Sequence, residues 1–249
     1  MINFSRIDYE SFMGKFLRLP LRLLPKGIKV PIIQGPLKGY KWITDSGVHG
    51  YWLGCYEINI VNQFVKYIRD NDINVVYDIG AHVGYYSLLA SKFINQKGRV
   101  YAFEPNPRNV YYIKRHLQIN NIRNVKIVEA AVCDNTTDLF FDNSFSSSMG
   151  KIGNKGIQVN GISLDYFVFE LKNPIPQLIK IDIEGAENKA LMGAKRLLTD
   201  YKPTIFLSTH GYDLKKKCEI FLLQLGYEIK EIEKAELLCE KKHEEYKQY

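Results

Sequence analysis

Asp78, Gly80, Gly84 and Glu104 are spaced to hold a nucleoside-like cofactor, and Asp182, Glu184, Glu187 and His210 stand where protons could be moved. The run Val75-Val76-Tyr77 ends at Asp78 and then breaks into Gly80-Ala81-His82-Val83-Gly84. A β-branched run, an acid, two glycines and a resumed helical pattern predict a buried strand, a tight turn and a helix start. Glu104 follows twenty residues after Gly84, at the end of a second apolar run, Val100-Tyr101-Ala102-Phe103. An acid there can accept hydrogen bonds from both hydroxyls of a ribose. A diphosphate wants closely packed N–H groups and three glycines in six positions; here two glycines stand four apart.

Asp182 closes a further apolar run that starts at Leu178. A hydroxyl that is to act as a nucleophile needs a base within hydrogen-bond reach, and Asp182 is the best-placed acid for it. Its structural alternative is to cap the helix that Gly185 opens. Glu184 and Glu187 flank that glycine, where acids are favourable with the helix dipole. His210 follows a fifth strand, and an imidazole of ordinary pKa near about 6.5 suits a general base. His49, His116 and His243 do not look like ligands, and no His/Asp cluster has metal spacing, so no metal is expected.

These side chains need a scaffold, and the chain has the means to build one. Its 249 residues are 46% hydrophobic and 24% charged, enough for a single α/β domain with one sizeable core. The net charge of +7 sits mostly at the front, where residues 1–41 carry eight Lys and Arg against Asp8 and Glu10. The nearly neutral remainder argues against a broad nucleic-acid-binding face. Four scattered cysteines, Cys55, Cys133, Cys218 and Cys239, read as reduced thiols and point to a cytoplasmic location. Phe12 to Leu24 is apolar but broken by basic residues and Pro20, which predicts neither a signal peptide nor a spanning helix.

Along the chain, residues 1–50 read as a basic N-terminal segment that caps the core, with residues 1–34 alternatively making peripheral contact with a membrane surface. Residues 51–240 form the main domain and 241–249 a tail. Strands are expected at Val75–Ile79, Arg99–Glu104, Val125–Val132, Leu178–Ile183 and Pro203–Leu207. Helices are expected at Ile58–Arg69, Tyr85–Ile94, Pro107–Gln118, Leu164–Leu171, Gly185–Leu198 and Asp213–Leu225, with a last pair of short strands opening at Gly226-Tyr227. Between them, 133–163 reads as an inserted hairpin. It has short strands at Asp138–Asp142 and Ile157–Asn160 and a serine-rich loop, 143–150, that could serve as a substrate lid. The alternation predicts a doubly wound, mostly parallel sheet with helices on both faces and ligands at the carboxyl ends of its strands.

The glycine spacing suits a cofactor whose carboxylate and amino group lie over the turn, and S-adenosylmethionine is such a molecule. Four pieces of the chain then carry a resemblance: Asp78-Ile79-Gly80-Ala81-x-x-Gly84-x-x-Ser87, Ala102-Phe103-Glu104-Pro105-Asn106-Pro107, Ile162-Ser163-Leu164-Asp165, and Ile179-Lys180-Ile181-Asp182-Ile183-Glu184-Gly185-Ala186-Glu187. From about Tyr56 through His210 the sequence resembles the FkbM family of S-adenosylmethionine-dependent methyltransferases. The resemblance implies a class I, Rossmann-like methyltransferase fold and O-methylation of a hydroxyl, commonly on a sugar or similar polyhydroxylated acceptor. It implies that Asp78, Gly80 and Gly84 hold the methionine end of the cofactor, with His82, Tyr86 and Ser87 beside them. Glu104 and Asn106 would serve the ribose, Ala131 and Val132 would border the adenine, and Asp182 would contact the cofactor as well as the acceptor. His82 stands where the family usually has Asn, and Ser208 where an acid is common.

Three other readings remain at this point. A nucleic-acid or protein N-methyltransferase often carries an Asn/Asp-Pro-Pro-aromatic turn after the fourth strand, where this chain has Ile183-Glu184-Gly185. A non-catalytic membrane-surface module would act through residues 1–34. A nicotinamide reductase is disfavoured by the missing third glycine. The oligomeric state and the acceptor's identity are not readable from these patterns.

Overall fold

The computed structural model describes residues 25–142, 151–153 and 157–242, with single positions 11, 14 and 21 ahead of them. Most of the basic segment 1–34 and the serine-rich loop 143–150 therefore lie outside the described residues, as does 243–249. In chain order the elements are β1 (Lys29–Pro31), β2 (Lys41–Ile43), α1 (Gly50–Leu53), α2 (Ile58–Asp70), β3 (Val75–Ile79), α3 (Tyr85–Phe93), β4 (Arg99–Phe103), α4 (Pro107–Ile119) and β5 (Val125–Val128). There follow β6 (Ala131–Val132), β7 (Asp138–Asp142), β8 (Lys151–Gly153), β9 (Ile157–Ile162), a π-helical turn (Tyr166–Glu170), β10 (Leu178–Ile181), α5 (Glu187–Met192), α6 (Lys195–Asp200), β11 (Thr204–Ser208), α7 (Tyr212–Gln224), β12 (Tyr227–Glu233) and β13 (Glu236–Lys241).

The main sheet runs in the order β12-β13-β11-β10-β3-β4-β5. Its five strands from β11 to β5 are parallel, and β13 and β12 add an antiparallel edge. Alternate residues feed two cores, as a sheet covered on both faces requires. Val76, Val100, Leu178 and Phe206 join one core; Tyr77, Tyr101, Ile179 and Ile205 join the other. The strand order departs in both directions from β3: β4 and β5 lie to one side, β10 and β11 to the other. The crevice outside the paired ends Ile79 and Ile181 is thus the place such a sheet offers a ligand.

Four expectations change. The third strand does not run through to Val132: Ala130 N–H folds back onto Val128 O at 2.9 Å, and Ala131–Val132 pairs with β9 in a second sheet, ordered β6-β9-β7-β8. The helix expected over Gly185–Leu198 starts at Glu187 and breaks at Gly193-Ala194. The break has a packing cause: a Cβ on Gly193 would sit 2.0 Å from Cys133 O, so the backbone of the inserted sheet runs against it. Asp165 then caps the resumed helix, accepting from Arg196 N–H and Leu197 N–H at 2.9 Å each. Leu164–Leu171 is helical as expected, but the helix widens to a π-helix over Tyr166–Glu170. Finally, Asp182 caps nothing, because Ala186 occupies the N-cap of α5.

Among the described residues no helix is long and apolar enough to cross a membrane.

Candidate active site

The loops after β3, β4, β5 and β10 meet over the crevice, and α1 with the residues behind it closes one side. Together they line a cavity that is open to solvent at its mouth. Its floor is the turn after β3. Gly80 has φ of 81°, and a Cβ there would lie 1.9 Å from Asp182 O, so only glycine lets β3 and the β10 loop approach this closely. The amides of Gly80 and Ala81 both donate to Phe103 O, at 3.0 and 2.9 Å. They are spent inside the protein, and the turn offers no cradle of free amides for a diphosphate.

Two buried acids face the cavity from this floor. Asp78 accepts from Ser87 Oγ at 2.5 Å, and burial raises its carboxyl to about 6. Glu104 accepts from His82 N–H and Asn106 N–H at 2.8 Å each and from Asn109 Nδ2 at 3.3 Å. Burial outweighs these three donors and pushes Glu104 up to about 7. Ser87 and Asn106 thus stand behind the acids and fix them; neither lines the cavity, and Asn106 also caps α4 through Arg108 N–H. Gly84 is the N-cap of α3 and lies outside the lining as well. His82, Tyr86, Ala131, Val132 and Asp182 do line it.

A second cluster, Asp182, Glu184 and His210, is brought together from two loops. His210 Nε2 lies 3.7 Å from Asp182 Oδ1 and 3.4 Å from Glu184 Oε2. Its Nδ1 is 2.5 Å from Oε1 of Glu187, whose side chain is fully buried. The Glu187 hydrogen bond raises the imidazole pKa against the opposing effect of burial, and Glu184 and Asp182 add to the rise. Glu184 turns back toward the histidine because it takes a left-handed conformation, φ 51°, ahead of Gly185 at φ 109°. Sequence spacing pointed to no metal cluster; the fold instead places Asp182, Glu184 and His210 with one donor atom each within 4.8 Å of one another.

Among the lining residues, Lys180 and Tyr85 had no part in the sequence reading of the site. Tyr51 and Tyr56, by contrast, belong to the aromatic, glycine-rich segment 50–57, which by its sequence could pack over a cofactor mouth. Lys180 is 1% exposed on β10, two residues before Asp182. Its Nζ donates to Ser208 Oγ and lies 3.8 Å from Asp182 and 3.6 Å from Glu236. Burial opposes its charge, but Asp182, Glu236, Glu57 and Asp78 outweigh that cost and hold the ammonium above its ordinary pKa. The available signal was a lysine in the middle of an apolar strand. Tyr51, Tyr56 and Tyr85 make an aromatic wall, with Tyr51 and Tyr85 centroids 5.1 Å apart. Tyr86 Oη donates to Glu57 Oε2 at 2.7 Å. Among the described residues His82 Nε2 and Tyr85 Oη are buried polar atoms without a hydrogen-bond partner, and both residues line the cavity. Orphans of this kind are costly unless a ligand satisfies them.

Comparison with known proteins agrees with this geometry. The family model described as the methyltransferase FkbM domain matches residues 78–235. The hexuronic acid methyltransferase AglP of Haloferax volcanii is 26% identical over 165 residues, 64% of this chain and 65% of that protein. The chain thus spans a little under two thirds of that relative. A crystal structure of the methyltransferase FkbM from Methylobacillus flagellatus KT superposes with a TM-score of 0.51 at 18% identity, covering 78% of this chain and 55% of the other. That likeness is one of fold: a class I methyltransferase architecture.

Proposed function

Because the chain belongs to the methyltransferase FkbM domain family, we propose that it transfers a methyl group from S-adenosylmethionine to a hydroxyl, on a sugar such as a hexuronic acid. The observation that carries this reading is the cavity's two-sided chemistry: cofactor acids on the floor and, on the wall, Asp182 and Glu184, with His210 beside them outside the lining.

The residues fit the cofactor. Glu104, held by three donors, presents a fixed carboxylate to the ribose hydroxyls. Asp78, fixed by Ser87, faces the cofactor's amino group, and the orphaned Tyr85 Oη gains a polar partner. Ala131 and Val132 supply an apolar edge for the base. When bound, S-adenosylmethionine supplies an activated methyl carbon on a sulfonium. The protein's own task is to hold the acceptor oxygen in line at about 3 Å, which can account for much of the acceleration, and to take its proton. Asp182, on the cavity wall, accepts that proton, with His210 and Glu184 completing the cluster. Glu187 acts through His210, as a positioning residue. The name of the Haloferax volcanii relative supports an acidic sugar as acceptor class.

The test pairs calorimetry with a methyl-transfer assay. S-adenosylhomocysteine should bind the full chain, and labelled methyl should pass to the hydroxyl of a uronic-acid saccharide. Asp182→Asn should lower kcat by about 10²–10⁴ while cofactor affinity stays within a few-fold. No S-adenosylhomocysteine binding, or transfer only to amino groups of RNA or protein, would overturn the reading.

A further inference from the structure

We propose that Asp182, Glu184 and His210 form a binding site for a divalent first-row cation at the cavity mouth. The inference rests on the acceptor-side reading above and deepens it: the cation would grip an oxygen of the acceptor.

The three donors come from the β10 loop and the β11 loop, so the fold and not local sequence brings them together. The distances from His210 Nε2, 3.4 Å to Glu184 Oε2 and 3.7 Å to Asp182 Oδ1, are too long for hydrogen bonds. They are close to the separation of about 3 Å between neighbouring ligands that each sit about 2.1 Å from one cation. Small side-chain rotations close that gap.

The imidazole is prepared for this role from behind. A metal-bound histidine gives its other ring N–H to a carboxylate, which fixes the tautomer and aims the free nitrogen. Glu187 does this to His210 at Nδ1, leaving Nε2 facing the two acids. Glu187 is 0% exposed, and its second oxygen has no hydrogen-bond partner among the described residues. Its first oxygen also accepts from Gly185 N–H at 3.1 Å. A buried carboxylate whose other oxygen is unpartnered is costly unless the positive charge beyond the ring is large. Charge counting agrees. Asp182, Glu184 and Glu187 meet there, and the nearby fixed cation, Lys180, already serves Asp182 and Glu236. Two carboxylates with one imidazole suit Mn²⁺ or Zn²⁺ better than Ca²⁺.

Mn²⁺ alone is the probe, titrated into the full chain and followed by calorimetry and by the electron paramagnetic resonance signal of the free ion. One Mn²⁺ per chain should bind. Glu184→Gln and His210→Ala should each weaken it at least tenfold, and Glu187→Gln about tenfold through loss of orientation. Unchanged melting temperatures and S-adenosylhomocysteine affinities would show that the variants are folded. If Mn²⁺ and Zn²⁺ both stay free at about 1 mM, or if the variants bind as the wild type does, the site is overturned. Failure of S-adenosylhomocysteine to bind, with Mn²⁺ binding intact, would instead overturn the methyl-transfer reading and leave the metal site standing.

Discussion

His82 takes a backbone shape that few side chains accept. At φ 49° it lies in the left-handed region, which costs an ordinary L residue about 1–2 kcal/mol and is tolerated best by Gly and Asn. What the site uses from this position is the amide, which donates to Glu104 at 2.8 Å; the imidazole meets Tyr51 Oη at 3.2 Å. The Asn expected here from the family resemblance would suit this backbone without any side-chain contact to the cofactor. His82→Asn should therefore keep S-adenosylhomocysteine affinity and raise stability by up to about 1 kcal/mol. His82→Val should lower both, because a β-branched residue cannot take the turn. Melting curves and calorimetry on the two variants decide it; equal losses in both would mean that the ring itself is needed.

At the scale of elements, three strands share one buried cation. Lys180 on β10 reaches Ser208 on β11, and Ser208 Oγ in turn donates to Glu236 Oε2 on β13 at 2.9 Å. The family resemblance leads to the expectation of an acid at the Ser208 position. Here β13, paired antiparallel to β11 with Ser208 opposite Glu236, delivers the carboxylate from the neighbouring strand instead. Glu236→Gln should cost about 2 kcal/mol by leaving Lys180 short of a counter-charge. Adding Ser208→Glu to that variant should restore the loss, whereas Ser208→Glu alone should destabilise, placing a third acid on an ammonium that already faces Asp182 and Glu236. Denaturant titration of the four proteins measures the coupling; additive effects would show that the two positions are independent.

The molecule as a whole couples cofactor binding to protons. Glu104 and Asp78 have folded pKa values raised to about 7 and 6, from ordinary values of 4.5 and 3.8. The empty native state thus holds protons that the unfolded chain has lost, and the contribution of these acids to stability falls as pH rises through that window. His82 and His116 act in the opposite sense. Burial lowers both to about 4, so they are neutral in the fold, and their contribution is lost as pH falls from about 6.5 toward 4. Glu104 must be charged to accept two ribose hydroxyls. S-adenosylhomocysteine affinity should then rise up to about tenfold per pH unit between roughly pH 5 and 7 and level off above. Calorimetry in buffers of different ionisation heat would detect the released proton, and a flat affinity across this range would show Glu104 already charged in the free protein.

The sequence by itself determined the parts that local pattern controls. Alternating apolar residues set the parallel strands, the acid and paired glycines after Tyr77 set the turn, and the spacing from Gly84 to Glu104 set an acid at the end of the next strand, because each is a matter of near neighbours along the chain. Asp182, Glu184, Glu187 and His210 were recognisable as chemistry. Which of them touch one another was not, since 182–187 and 210 lie on different loops. The structure alone decided that Glu187 is buried behind His210, that Asp182 caps no helix, and that the helix after it breaks where Gly193 meets the inserted sheet. Lys180 and Glu236 belong to the same class. Their roles depend on strand order and register, which arise from packing between segments remote in sequence.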